Sequence, residues 1–325
     1  MAIDIKKLSA LIEKEINKLS LGDTPKQLYD PLYYILSLGG KRIRPLLTLL
    51  SYSLYKEDAE KIIHPALAVE VFHNFTLMHD DIMDKAPLRR GQATVHEKWN
   101  TNIAILSGDV MMIKAYDLLF GLDESKFKQV MAMFNECARL VCEGQQMDMD
   151  FETQDVVSET AYLHMIKLKT AVLLGFSLKL GAYLADASDD DCQALDAFGI
   201  AIGIGFQLKD DLLDVYGDQE AVGKQVGGDI ISNKKTYLLI KALALANPKQ
   251  KEQLDFWLSE KTHDPQEKVK AVTAIYDELQ IKQRTEQEMN KQYNQAFASL
   301  HKVSASEEHV EVLEQFSKNL INRDK

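Results

Sequence analysis

Apolar residues recur three and four positions apart along most of the chain, as at Leu8, Leu11, Ile12, Ile16 and Leu19, while strict strand-like alternation is hard to find. That pattern predicts an all-α protein of roughly a dozen helices joined by short loops. Breaks fall at Gly22 to Pro25, Gly39-Gly40, Pro87 to Gly91, Gly121, Gly217 to Gly228, Pro248 and Pro265. Asp23-Thr24-Pro25 reads as a cap followed by proline in a first helical turn. None of these breaks separates two domains, so residues 1–325 read as a single domain. The longest loop, Gly217 to Asp229, carries Gly223, Gly227 and Gly228. Glycine-rich loops of that length inside compact helical proteins serve function or movement.

Composition removes several function classes. A net charge of −11 over 325 residues repels nucleic acid, yet leaves room for phosphorylated substrates wherever a basic cluster or a metal ion reverses the sign locally. Cys137, Cys142 and Cys192 have no metal-ligand spacing and leave an odd thiol, which reads as reduced cysteine. The start has no apolar signal core, and no run approaches the ~18 apolar residues of a membrane span. The expectation is a soluble, cytoplasmic protein.

Two segments carry the candidate chemistry: Asp80-Asp81-Ile82-Met83-Asp84 and Asp210-Asp211-Leu212-Leu213-Asp214. On a helix, the first and fifth residues of each lie one turn apart with the second beside them, so three carboxylates are expected around one small volume. Pro87 and Gly217 put both clusters near helix ends, where the dipole is also negative. A divalent cation relieves both penalties, and oxygen-only ligands point to magnesium shared with substrate phosphates. One such cluster alone is commonly a solvated helix end. Leu77 and Met78 before the first, and Ile204, Phe206 and Leu208 before the second, mark both helices as core-facing.

Basic partners accompany them. In Gly39-Gly40-Lys41-Arg42-Ile43-Arg44-Pro45, a glycine-started segment running into an apolar helix, Lys41 and Arg44 are three apart and can share a face. Arg89-Arg90-Gly91 follows the first cluster, and adjacent arginines diverge, so the two can serve different anions. An aspartate cluster needs metal to hold a diphosphate, whereas a Lys/Arg pocket does not; one site of each kind implies two diphosphates bound differently.

With these motifs in order, the chain resembles the trans-isoprenyl diphosphate synthases, or polyprenyl synthetases, over nearly its whole length. The resemblance rests on GGKRIRP, the first DDxxD followed by RRG, Lys169-Thr170, Phe206-Gln207 before the second DDxxD, Gly223-Lys224, and Gly228-Asp229-Ile230 with Lys234. It implies a bundle of long helices around a deep central cavity, the isoprenoid synthase fold, usually as a homodimer. It implies that Lys41, Arg44, His73 and Arg90 bind isopentenyl diphosphate. Asp80, Asp84 and Asp210 hold magnesium, three ions with substrate bound, supported by Asp81, Asp211 and Asp214, with Asp148 a weaker candidate. Arg89, Lys169, Lys224 and Lys234 contact the allylic diphosphate (dimethylallyl, geranyl or farnesyl), and Thr170 and Gln207 face the allylic cation. Glu70-x-x-His73 and Glu260-x-x-His263 do not make a di-iron pair, because the second stands before Asp264-Pro265 at a helix end. A terpene cyclase has no use for the second basic pocket, and a non-catalytic subunit would lack some of the motifs.

Product length turns on the helix before Asp80. Phe75 and Thr76, five and four residues earlier, lie roughly 6 to 7.5 Å deeper at the 1.5 Å rise of an α-helix. Phe72 stands almost another turn down. A single aromatic beside a small Thr76, without an insertion in the motif, resembles makers of twenty-carbon geranylgeranyl diphosphate more than of the fifteen-carbon product. The basic tail residues Arg323 and Lys325 are candidates to fold over isopentenyl diphosphate.

Overall fold

A computed structural model describes residues 3–217, 227–259 and 264–322. The chain divides into two compact units. The first comprises residues 1–135, 176–195 and 304–313, and the second residues 136–175, 196–303 and 314–325.

The first unit is built on the helices Ile5–Ile16, Lys26–Ser37, Ile43–Ser53, Ile63–Met83 and Thr101–Asp117. Asp4 caps the first by accepting from the Lys7 amide, and Asn100 caps the last by accepting from the Ile103 amide. The Ile63–Met83 helix is apolar nearly all round and is correspondingly buried at Ala66 to Phe72, Phe75 and Met78, packed against the Thr101–Asp117 helix. Ser51 donates to the Leu178 carbonyl at 2.6 Å, tying residues 176–195 to the Ile43–Ser53 helix.

Two expectations need correction in this unit. Pro25 is not in a first turn: it occupies the N-cap position of Lys26–Ser37, and no side chain caps that helix. Proline has no amide to leave orphaned, and its carbonyl accepts from the Leu28 amide at 2.9 Å. A short antiparallel pair, Leu88–Arg89 with Gln92–Ala93, also interrupts the helical pattern. Arg90 at φ 53° and Gly91 at φ 76° form its turn, the doubly positive geometry that matches strand twist.

In the second unit the helices Glu159–Ile166, Tyr237–Leu245, Pro265–Glu278 and Ile281–Leu300 pack with residues 196–216 of the long helix Asp189–Tyr216. Ser158, Thr236 and Asp264 cap three of them, and Pro248 and Pro265 each open a helix as the breaks in the pattern predict. Tyr162, Met165, Ile204, Leu208, Tyr237 and Ile240 form one core cluster directly beside the second aspartate motif. Among the described residues no helix is long and apolar enough to cross a membrane.

Candidate active site: two aspartate motifs and their partners

In the first unit Asp80 is half-buried near the end of the Ile63–Met83 helix, and Asp84 is its exposed C-cap residue. Asp81 turns away from both. It is 3% exposed, and its two oxygens receive Nε and Nη2 of Arg89 at 2.8 and 2.7 Å. The hairpin explains the reach: two residues of strand bring Arg89 back past the helix end. Burial raises the Asp81 carboxyl above its ordinary range, and the guanidinium opposes that rise.

The glycine-started basic segment is not a helix face. Gly39, Gly40 and Arg42 all have positive φ, so Lys41 stands exposed in the loop and the Ile43–Ser53 helix begins after Arg42. Lys41 and Arg44 therefore do not share a helix face. A Cβ at Gly40 would lie 2.8 Å from the Arg90 guanidinium, so only glycine lets Arg90 rest on this loop. Arg42 points inward instead: Nη1 meets Glu70 at 2.7 Å and Nη2 donates to the Leu36 carbonyl at 2.6 Å. Asn74 Nδ2 completes Glu70 at 3.0 Å. This buried pair fixes an otherwise strained turn. Arg44 Nη1 lies 3.0 Å from His73 Nε2. Guanidinium only donates, so Nε2 accepts and His73 is neutral with its proton on Nδ1. Burial, and then the arginines at 44 and 90, hold its pKa well below the usual histidine range.

Deeper on the same helix, Phe72 and Phe75 pack with ring centroids 5.6 Å apart, and Phe72 meets Phe134 at 5.1 Å. Thr76 donates its hydroxyl to the His73 carbonyl at 2.7 Å.

In the second unit Asp210 is exposed and Asp214 half-buried. Asp214 Oδ2 accepts from the Asp229 amide at 3.0 Å, joining the Gly228–Ile231 helix to the motif. Asp211 is again buried, and its hydrogen-bond partners among the described residues are neutral. Tyr162 OH donates to Oδ2 at 2.5 Å, the Tyr237 amide to Oδ2 at 3.3 Å, and Gln207 Nε2 to Oδ1 at 3.2 Å. Burial pushes its carboxyl up to about 7 against those donors. Gln207 Oε1 in turn accepts from the Thr170 hydroxyl at 3.3 Å. Lys169 and Thr170 sit in a π-helical segment, Lys167–Ala171, a geometry frequent at functional sites. Gly144 permits it, since a Cβ there would lie 2.2 Å from the Lys169 backbone nitrogen. Asp148, on the same helix as Gly144, pairs with Lys169 Nζ at 2.6 Å. Lys234 is exposed just beyond the Gly228–Ile231 helix.

Gly223, Lys224, Glu260, His263, Arg323 and Lys325 lie outside the described residues, as does most of the Gly217 to Asp229 loop.

The expected convergence of three carboxylates in each motif is not observed. Among the described residues no three His, Cys, Asp or Glu side chains gather as a metal cage. The reason is burial: the second aspartate of each motif cannot enter the core as a bare anion and turns to internal donors. What remains outward is Asp80 with Asp84, and Asp210 with Asp214. Hard carboxylate oxygens in ones and twos fit magnesium, which keeps waters and takes its other ligands from substrate phosphates. Tyr162 and Tyr237 escaped sequence reading, as did the role of Glu70 as partner of Arg42 and the close approaches at Gly40 and Gly144. The one legible signal was Glu70, a lone charge in the apolar run Ala66 to Phe72.

Comparisons with known proteins bear on the same segments. Residues 25–276 match the polyprenyl synthetase family model. The chain is 39% identical over 241 residues to the geranylgeranyl diphosphate synthase of Methanosarcina mazei, covering 74% of each chain. It is 42% identical over 241 residues to the geranylgeranyl pyrophosphate synthase of Geoglobus acetivorans, covering 73% of this chain and 75% of that one. A crystal structure of a geranylgeranyl pyrophosphate synthase superposes with a TM-score of 0.95 at 42% identity, over 99% of this chain and 100% of that one.

Proposed function

The chain belongs to the polyprenyl synthetase family, and we propose that it is a magnesium-dependent short-chain trans-prenyltransferase that makes geranylgeranyl diphosphate from isopentenyl diphosphate and the dimethylallyl, geranyl and farnesyl diphosphates. The observation that carries this is the presence of two carboxylate pairs and, separately, of a basic cluster in which Arg44 and Arg90 stand by a neutral His73, with Lys41 exposed in the adjoining loop. The family match supports reading residues 25–276 as one domain.

In the reaction the allylic carbon–oxygen bond breaks and diphosphate leaves with the electron pair. The π pair of isopentenyl diphosphate forms the new carbon–carbon bond, and the proton lost passes to the departed diphosphate. Magnesium, three ions with both substrates present, would supply charge neutralisation for the leaving group. Asp80, Asp84, Asp210 and Asp214 would hold it, and Arg89, Lys169, Lys224 and Lys234 would bind the allylic diphosphate. Arg44, Lys41 and Arg90 orient isopentenyl diphosphate, and neutral His73 does so without adding a titrating charge. Thr170 and Gln207 present oxygen to the cation. Phe75, backed by Phe72, sets the floor of the chain. Phe75→Ala should lengthen the products and Thr76→Phe shorten them.

The enzyme acts as a cytoplasmic homodimer. Ile105, Leu106 and Ile113 on the Thr101–Asp117 helix, with Phe120 beyond it, are exposed apolar side chains on one element and suit a face between two copies. Ile113→Asp should shift the sedimentation of the protein toward monomer.

The decisive assay follows diphosphate release from an allylic diphosphate, with and without isopentenyl diphosphate and magnesium, and weighs the products by mass spectrometry. Release that requires all three, with a twenty-carbon product, is expected; release without isopentenyl diphosphate would overturn the assignment in favour of a cyclase or hydrolase.

A further inference from the structure

The second aspartate motif holds a device that neither composition nor motif spacing suggests. A glutamine amide can face a site with either end, oxygen or nitrogen, and the two choices are opposite dipoles. At Gln207 the choice is dictated from below. Asp211 Oδ1 is an acceptor, so the amide turns its nitrogen to it, at 3.2 Å. The oxygen is thereby turned to the other side, where the Thr170 hydroxyl takes one of its two lone pairs at 3.3 Å.

Asp211 in turn cannot rotate its preference. Its other oxygen, Oδ2, receives the Tyr162 hydroxyl at 2.5 Å and the Tyr237 amide at 3.3 Å. The backbone amide has only a proton to offer, so an oxygen must stand at Oδ2 whatever the chemistry of the side chain. Tyr162 is itself fixed as part of the buried cluster with Met165, Leu208 and Tyr237.

We propose that Asp211, held by Tyr162 and the Tyr237 amide, is a positioning residue that fixes the flip of Gln207, so that the amide presents its oxygen, the negative end of its dipole, to the allylic cation. The proposal rests on the prenyl-transfer reading above, in which Thr170 and Gln207 face that cation. It gives Asp211 a role distinct from the outward Asp210 and Asp214: its two oxygens are occupied by three neutral donors.

The chemistry of the isosteric substitution makes a sharp test. In Asp211→Asn the Tyr237 amide still demands oxygen at the Oδ2 position, which places the new NH₂ against Gln207. Gln207 must then turn its oxygen inward and its NH₂ toward the cation, and Thr170 can accept from that NH₂ as readily as it donated. The side-chain volume is unchanged, and one dipole is reversed.

Binding is measured calorimetrically on the full-length enzyme with magnesium, using two probes. One is a protonated tertiary-amine analogue of the allylic cation together with inorganic diphosphate; the other is a neutral allylic thiolodiphosphate. Asp211→Asn is expected to weaken the amine analogue about tenfold or more and to change the thiolodiphosphate by less than about twofold, with kcat falling and the allylic KM nearly constant. Tyr162→Phe, which leaves the carboxylate and the Tyr237 amide in place, keeps Gln207 donating to Oδ1 and should change the ratio by less than about twofold. In a Gln207→Leu background Asp211→Asn should add no further loss of selectivity. Equal weakening of both probes would mean that Asp211 acts through the diphosphate and would overturn the proposal, as would unchanged binding of both. A wild-type protein that binds neither probe and makes no prenyl product would instead overturn the prenyl-transfer reading itself.

Discussion

The two DDxxD segments are nearly the same five residues, yet the units that contain them treat the central aspartate differently. In the first unit Asp81 enters the interior with a bidentate guanidinium, so charge meets charge. In the second, Asp211 enters among a tyrosine hydroxyl, a glutamine amide and a backbone N–H, with no cation beside it among the described residues. The difference lies in what each helix end has nearby. The Ile63–Met83 helix is followed by a hairpin that returns an arginine, whereas the Asp189–Tyr216 helix passes aromatic residues of the neighbouring helices. A guanidinium opposes the rise that burial gives the Asp81 carboxyl, whereas at Asp211 burial outweighs the neutral donors and pushes the carboxyl up to about 7. A motif thus specifies which carboxylates face outward, and its surroundings decide how the inward one is tolerated.

The largest effect should be the one in which the two motifs agree. Asp80→Ala and Asp210→Ala should each lower turnover by about a hundred- to a thousandfold or more. Steady-state assays at saturating magnesium check this, and near-normal turnover in either variant would show that its motif is not part of the reaction. Stability should separate them. Arg89→Ala leaves the buried Asp81 without its cation and should cost about 2–3 kcal/mol, whereas Tyr162→Phe removes one neutral donor of several and should cost about 1 kcal/mol. Urea unfolding in chelator, with Asp81→Asn added to rescue Arg89→Ala, measures the contrast; equal costs would erase it.

The pH dependence gives a third separation. Asp211 binds its proton more tightly in the folded protein, about 7 against an ordinary 3.8, so folding stability from this group is fullest below 3.8 and is lost as pH rises toward 7. The slope is at most about 1.4 kcal/mol per pH unit. In metal-free protein, wild type minus Asp211→Asn should show this loss between about pH 4 and 7, and a flat difference would show that the carboxyl is not protonated on folding. The smallest expected effect tests the basic partner of the first unit alone. Arg44→Ala should raise KM for isopentenyl diphosphate about tenfold and that for the allylic substrate far less. Equal changes in both would mean that the two diphosphates share one pocket.

The sequence by itself determined the helical class, the placement of the breaks, both aspartate motifs and the presence of a separate basic segment. All of these are local: helical periodicity, glycine and proline punctuation, and like charges crowded within five residues. It overstated convergence, because spacing on an ideal helix puts Asp81 beside Asp80 and Asp84 but carries no term for the cost of desolvation. It also allowed Lys41 and Arg44 a shared helix face, because nothing local announces that Arg42 adopts a left-handed turn held by Glu70, twenty-eight residues on. Only the tertiary structure decided these points. A buried polar group must find its partner wherever the folded chain brings one, and Arg89 for Asp81, Tyr162 and the Tyr237 amide for Asp211, and Glu70 for Arg42 are partners of that kind. The flip of Gln207 is the last consequence: the residue type is read from the chain, and the direction of its dipole from a carboxylate that the fold has put beneath it.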